Sequence, residues 1–182
     1  ERERAQFSSS VILGVRPEIG GASSDLFVEL QVPLLLGGHP DLASEADMRA
    51  VAEKHGTKTL EDLLETFGDR AIVLSNSAAP GESLTDALER LQTQAVEAVS
   101  AGVACIVLDD TDLYGGERQW IDPMLAVASL DRALREAGYI PNLRRQVGIV
   151  LRSAAIRDLH DVALAIGLGA NAIVPYALYA VG

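Results

Sequence analysis

Three carboxylates stand within four residues at Asp109, Asp110 and Asp112, with Thr111 among them. Carboxylate oxygens are the ligands a hard cation such as Mg²⁺ prefers, so this spacing could hold one. Aspartates at a strand end also serve as acceptors for loop backbone N–H groups. No second acidic strand end completes a cage, so the expectation is a loop rather than a metal centre. Arg152 closes the apolar run Val147 to Leu151. Its guanidinium could grip a phosphate or carboxylate through paired N–H groups. It could equally pair with Asp109 or Asp110 on a neighbouring strand, and that internal pair is the favoured reading.

The other reactive residue types give less. Cys105 is the single cysteine, which excludes an internal disulfide and a thiolate zinc site. It opens the run Cys105 to Leu108, where an inert buried thiol is expected. His39, His55 and His160 are scattered, and none has the i, i+4 spacing of a helical metal pair. His160 reads as a packing residue at a helix boundary. No serine sits in a Gly-x-Ser-x-Gly elbow. Gly20-Gly21, Gly37-Gly38 and Gly115-Gly116 are turn punctuation, not a Gly-x-Gly-x-x-Gly loop. Leu168 to Ile173 leads into a strand ending Val174-Pro175-Tyr176. A phosphate site needs a glycine there, so that backbone N–H groups can approach, and proline has no N–H. Gly169-Ala170 is therefore read as tight helix-to-strand packing. No catalytic, cofactor-binding or metal-ligating residue is assigned.

The elements that position these residues follow a rhythm. Ala71 to Leu74, Cys105 to Leu108, Val147 to Leu151 and Ala172 to Val174 are continuous apolar runs, each ending in polar residues or proline. Between them lie helices. Ser83 opens one, with Leu84, Ala87, Leu88, Leu91, Ala95 and Val99 on one stripe before Gly102. Asp122 and Pro123 open the next as N-cap and first helical residue, with Leu125, Ala128 and Leu134 inward. The third runs from about Ala155 to Ile166, with Ile156, Leu159, Val162, Ala163 and Ile166 inward. Strands that are apolar throughout are buried on both faces, which means parallel strands flanked by helices. The fold class is α/β: parallel (β/α) units forming a partial, barrel-like sheet. Ligands of such folds sit at the carboxyl ends of the strands, where Ser75-Asn76, Asp109-Asp110, Arg152-Ser153 and Pro175-Tyr176 fall.

Residues 1–70 are read as a separate amino-terminal segment, and 71–182 as the (β/α) core. Val11 to Val15 and Leu26 to Leu36 look strand-like, with a loop from Arg16 to Gly21; Pro33 demotes the second to an edge or extended segment. Ser44 and Asp47 are placed like a capping box before a short helix ending at Gly56, and Thr59 to Phe67 reads as another.

With 15 Lys plus Arg against 26 Asp plus Glu, the net charge is −11. That excludes the basic footprint of a nucleic-acid binder and a polybasic membrane patch. No stretch reaches the length of a membrane-spanning helix, and Glu1-Arg2-Glu3-Arg4 is unlike a signal peptide, so a cytoplasmic location is expected. The aromatic share of 4% requires an aliphatic core. The chain lacks an initiator Met and stops at Gly182 just after a strand-like run, so it reads as a piece of a longer polypeptide.

Ser83 to Asp110, Ile121 to Gly138 and Val147 to Tyr176 resemble the central domain of the glutamate synthase large subunit. In register are Leu125-Ala126-Val127-Ala128, Arg157, His160, Gly167, Gly169, Ala170, Ala172, Pro175 and Tyr176. Departures fall at Asp109-Asp110-Thr111, where the family has Ser-Asp-Arg, and at Asp131-Arg132-Ala133, where it has a histidine run. Arg152 replaces a Glu and Val174 an Asn. Residues 1–70 match loosely. The resemblance implies a parent that makes L-glutamate from L-glutamine, 2-oxoglutarate and a reductant. In that family an amidotransferase domain releases ammonia, and a barrel domain with FMN and an iron–sulfur cluster performs the reduction. The central domain joins these two partners, holds no cofactor and helps position the ammonia tunnel. Two rivals remain: a free-standing (β/α) enzyme binding an anionic small molecule or metal through Asp109, Asp110, Asp112 and Arg152, and an acidic interaction module.

Overall fold

The computed structural model describes residues 9–16, 26–37, 45–138 and 142–180. In chain order, β1 (Val11–Gly14) and β2 (Phe27–Leu30) precede α1 (Glu45–Lys54) and α2 (Leu60–Phe67). Then come β3 (Ala71–Ser75), β4 (Ser77–Ala78), α3 (Leu84–Ser100), β5 (Cys105–Asp109) and β6 (Gln119–Trp120). The rest is α4 (Pro123–Glu136), β7 (Gly148–Arg152), α5 (Leu159–Leu168), β8 (Ala172–Val174) and the single turn α6 (Tyr176–Tyr179).

The four apolar runs form one sheet in the order β3-β5-β7-β8, every pair parallel. Each crossover is a helix, so the expected α/β architecture holds. The helix starts are set by side-chain caps, which satisfy N–H groups of the first turn that have no helical partner. Ser83 accepts from Asp86, Asp122 from Met124 and Leu125, and Asp158 from His160 and Asp161.

Both sheet faces are covered, which is why the strands do not alternate. Leu74, Ile106, Leu108, Ile149, Leu151 and Ile173 pack against α3, α4 and α5. Cys105, Val107, Val150, Ala172 and Val174 face the β1-β2 hairpin, Leu35 and α2, through Leu13, Leu30, Leu60, Leu63 and Phe67. The hairpin lies so close to β7 that a Cβ on Gly148 would fall 2.9 Å from the Gly14 nitrogen. Only a glycine permits that approach.

Some expected details shift. The third (β/α) helix begins at Leu159, not Ala155, because Asp158 supplies the cap; Ile156 is still buried, but Leu159 is 79% exposed. On α4 the buried stripe is Ala126, Val127, Leu130 and Leu134, and Leu125 is exposed. Leu84, on the first turn of α3, is also exposed. The strand read over Leu26 to Leu36 stops at Leu30, and the extended chain resumes after Pro33 as single bridges at Leu34 and Leu36. The loop beyond Arg16, Gly38, His39 and the Ser44 cap lie outside the described residues.

A buried arginine ties the layers together at the amino ends of the strands. Arg144 Nε donates to Asp131 Oδ1 on α4 at 2.6 Å, and its terminal nitrogens reach the carbonyls of Val147 and Gly169 at 2.8 and 2.6 Å. It also donates to Asn171 Oδ1 at 2.9 Å, which accepts from Ile149 N–H as well. Asn171 Nδ2 donates to the Ile12 carbonyl on β1 at 3.1 Å. Asparagine can accept and donate at once; an ionised aspartate could not make the last bond. Burial works against the Asp131 charge, but hydrogen bonds from Arg135 and Arg144 outweigh it and hold the carboxyl below its usual value. Gly169 has φ +126°, and a Cβ there would meet the Asp131 side chain at 2.6 Å, so its glycine serves close packing.

Candidate functional site

The carboxyl ends of β3, β5, β7 and β8 gather the polar residues that the sequence placed there. The three aspartates diverge instead of converging. Asp109 is in register with Arg152 on the next strand, and Arg152 Nη1 donates to Asp109 Oδ2 at 3.0 Å. The same carboxylate accepts from the N–H and hydroxyl of Thr111, each at 3.0 Å. Asp110 is buried and turns the other way, beneath Ser153 and Tyr176. It accepts from Ser153 Oγ at 2.5 Å, from Ala154 N–H at 3.2 Å and from the Tyr176 hydroxyl at 2.7 Å. Asp112 leans towards β3 and accepts from Ser75 and Ser77 hydroxyls at 2.6 and 2.8 Å; Arg118 pairs with it at 2.9 Å.

Each carboxylate is thus committed to different donors. The Arg152 guanidinium also lies over the Tyr176 ring, 5.5 Å from its centre. A cation in that position gains from the ring's negative face. The internal pair expected between Arg152 and Asp109 is present, and Asp110 belongs to a second clasp that the sequence did not reveal. Tyr176 joins the two: its ring meets Arg152 and its hydroxyl meets Asp110.

The β3 end of this corner is tied down as well. β4 and β6 form a two-residue antiparallel ladder above it, with Ser77 opposite Trp120. Arg90 reaches back from α3 to the Ser77 carbonyl at 2.8 Å and pairs with Glu82. The Arg90 hydrogen bond, aided by Ala79 N–H, lowers the Glu82 carboxyl to about 2. Two acceptors here, Oδ1 of Asn76 and of Asp112, are buried with no partner among the described residues. Lone acceptors repel an anion, so they count against a phosphate or carboxylate ligand at this end.

Among the described residues, no group of three or more His, Cys, Asp or Glu is placed to hold a metal ion. Pro175 follows β8 and supplies no N–H there. Cys105 is buried, and burial pushes its thiol up to about 12, so it is not a thiolate nucleophile. His160 is exposed on the first turn of α5, which corrects its reading as a boundary packing residue. None of the described helices is long and apolar enough to cross a membrane. Sequence reasoning missed Arg144, Asn171 and Asp131, whose contacts span separate elements.

The fold and this corner define a class: a parallel (β/α) domain whose strand-end charges are answered from within. Residues 1–181 match the family model described as the glutamate synthase central domain, and the chain belongs to that family. The match takes in residues 1–70, which the sequence tied to the family only loosely. The chain is 40% identical over 100 residues to the glutamate synthase [NADPH] large chain of Bacillus subtilis (strain 168), covering 54% of this chain and 6% of that relative. It is 28% identical over 176 residues to the ferredoxin-dependent glutamate synthase of Cyanidium caldarium, covering 96% of this chain and 10% of the relative. The matched stretches cover 6% and 10% of these relatives, so the chain spans only about a tenth of their length.

Proposed function

We propose that this chain is the cofactor-free connecting domain of a glutamate synthase large subunit. It positions an amidotransferase domain and a flavin-binding synthase domain of the same polypeptide and helps shape the passage for ammonia between them. The parent reaction is the conversion of L-glutamine, 2-oxoglutarate and reductant to L-glutamate, in the cytoplasm. No residue of this segment acts as a catalyst, and none binds FMN or an iron–sulfur cluster. One observation carries the reading. The corner where a (β/α) fold takes its ligand is filled by the Arg152–Asp109 pair and the Asp110–Ser153–Tyr176 clasp. A charge neutralised within the protein has little left for a substrate.

The test is binding to the purified 182-residue chain. Visible absorbance and titration calorimetry with FMN, L-glutamine and 2-oxoglutarate should show no cofactor spectrum and no saturable heat. A flavin absorbance band, or saturable binding abolished by Arg152→Met, would move the assignment to an enzyme site at this corner.

A further inference from the structure

The two edges of the four-stranded sheet are treated differently. At β8 the chain covers its own edge. Ile173 donates to the Pro33 carbonyl at 2.9 Å, its carbonyl accepts from Leu35 at 2.9 Å, and Leu34 bridges it in parallel. At β3 no described strand or bridge lies on the side away from β5.

Backbone groups alternate in direction along a strand, so the groups that face away from β5 can be named. Arg70 carbonyl accepts from Ala104 at 2.8 Å, and Asn76 N–H donates to the Asp109 carbonyl at 2.7 Å. The even-numbered positions therefore face β5. The N–H and C=O groups of Val73 and Ser75 point to the open side, whereas the Ala71 N–H already donates to the Gly68 carbonyl in the turn before the strand.

The side chains agree. Val73, Val107, Val150 and Ala172 form one row across the sheet, in direct register. The last three are buried under the hairpin and α2, whereas Val73 is 51% exposed. The strand reads Ala-Ile-Val-Leu-Ser, with none of the lysine, proline or other charge that protects natural edges from pairing. An uncharged edge with a half-bare valine at its centre fits another extended backbone carrying an apolar side chain.

We infer that an extended segment of the same glutamate synthase polypeptide, outside residues 1–182, pairs with the β3 edge and covers Val73. The inference rests on the proposed role as a connecting domain. The matches cover 6% and 10% of two relatives, so about nine-tenths of such a polypeptide is available to supply the strand. The β8 edge shows the device already in use: extended chain laid in parallel on a sheet edge.

Amide hydrogen exchange, resolved by residue in the full-length polypeptide that carries this segment, tests it. The Val73 and Ser75 amides should exchange at least roughly 100-fold slower than open amides, alongside Ile72 and Leu74. Rapid exchange at Val73 and Ser75, with Ile72 and Leu74 still slow, overturns the inference. Protection of Val73 in the 182-residue chain that grows with its concentration also overturns it, by assigning the edge to a second copy. Glutamate synthesis measured on the same sample separates the two ideas. An active enzyme with an unprotected Val73 sinks the edge pairing and leaves the connecting role standing. An enzyme whose chemistry needs Arg152 directly sinks the connecting role whatever the exchange at Val73.

Discussion

Asp110 is the buried carboxylate of the strand-end corner, and its stability depends on donors from two later segments of the chain. Removing one leaves an acceptor short in a site that water does not freely reach. Tyr176→Phe, which deletes the 2.7 Å bond and little else, should therefore cost about 1.5–3 kcal/mol in urea unfolding. A cost near zero would mean that the clasp does not hold the corner. Asp131 gives a pH signature. Its folded pKa lies below the ordinary 3.8, so its contribution is complete above that value and is lost as pH falls through the depressed folded value. Asp131→Asn should flatten the fall in stability below about pH 4 seen in acid unfolding curves. Cys105 should stay unlabelled by thiol reagents at pH 8 until the chain unfolds, because burial holds its proton. At this scale the Arg152–Asp109 pair was legible: both types end apolar runs that must be neighbours in a parallel sheet. Arg144 was not, because it sits in a single 3-10 turn and its partners Asp131, Gly169 and Asn171 share no periodic spacing.

The elements were legible where burial and caps speak together. Four apolar runs became four parallel strands, and Ser83 and Asp122 capped the helices they were expected to cap. Asp158 took the cap of α5 from a site nearer Ala155, because its carboxylate reaches two N–H groups and Ala155 offers none. The two-residue ladder of β4 and β6 left no pattern to read, since alternation needs more residues than it has. Burial on both faces makes a quantitative claim. Leu108 and Val150 are fully enclosed, one against the helices and one against the hairpin. Leu108→Ala and Val150→Ala should each cost about 2–4 kcal/mol in denaturant unfolding, through lost transfer energy and the cavity left behind. Losses under about 0.5 kcal/mol at both sites would contradict the two-faced burial.

Across the whole molecule, the sheet organises three regions: helices on one face, hairpin and α2 on the other, and a closed polar corner at the carboxyl ends. The family was legible in residues 83–176, where Leu125-Ala126-Val127-Ala128 and Pro175-Tyr176 keep their register. The amino-terminal match was not, because its short strands and Pro33 carry little periodic signal. On the proposed function, this domain connects reacting domains and contributes no reacting group. The direct measurement is glutamate formation by the full-length synthase carrying Arg152→Met together with Asp109→Leu, driven first by L-glutamine and then by added ammonia. Replacing both charges with apolar groups avoids leaving one buried alone. Ammonia-driven turnover should stay within about threefold of the parent enzyme, with any larger loss confined to the glutamine-driven reaction. A loss of roughly 100-fold or more with ammonia, in a folded and flavin-loaded enzyme, would place Arg152 or Asp109 in the reaction itself and overturn the connecting role.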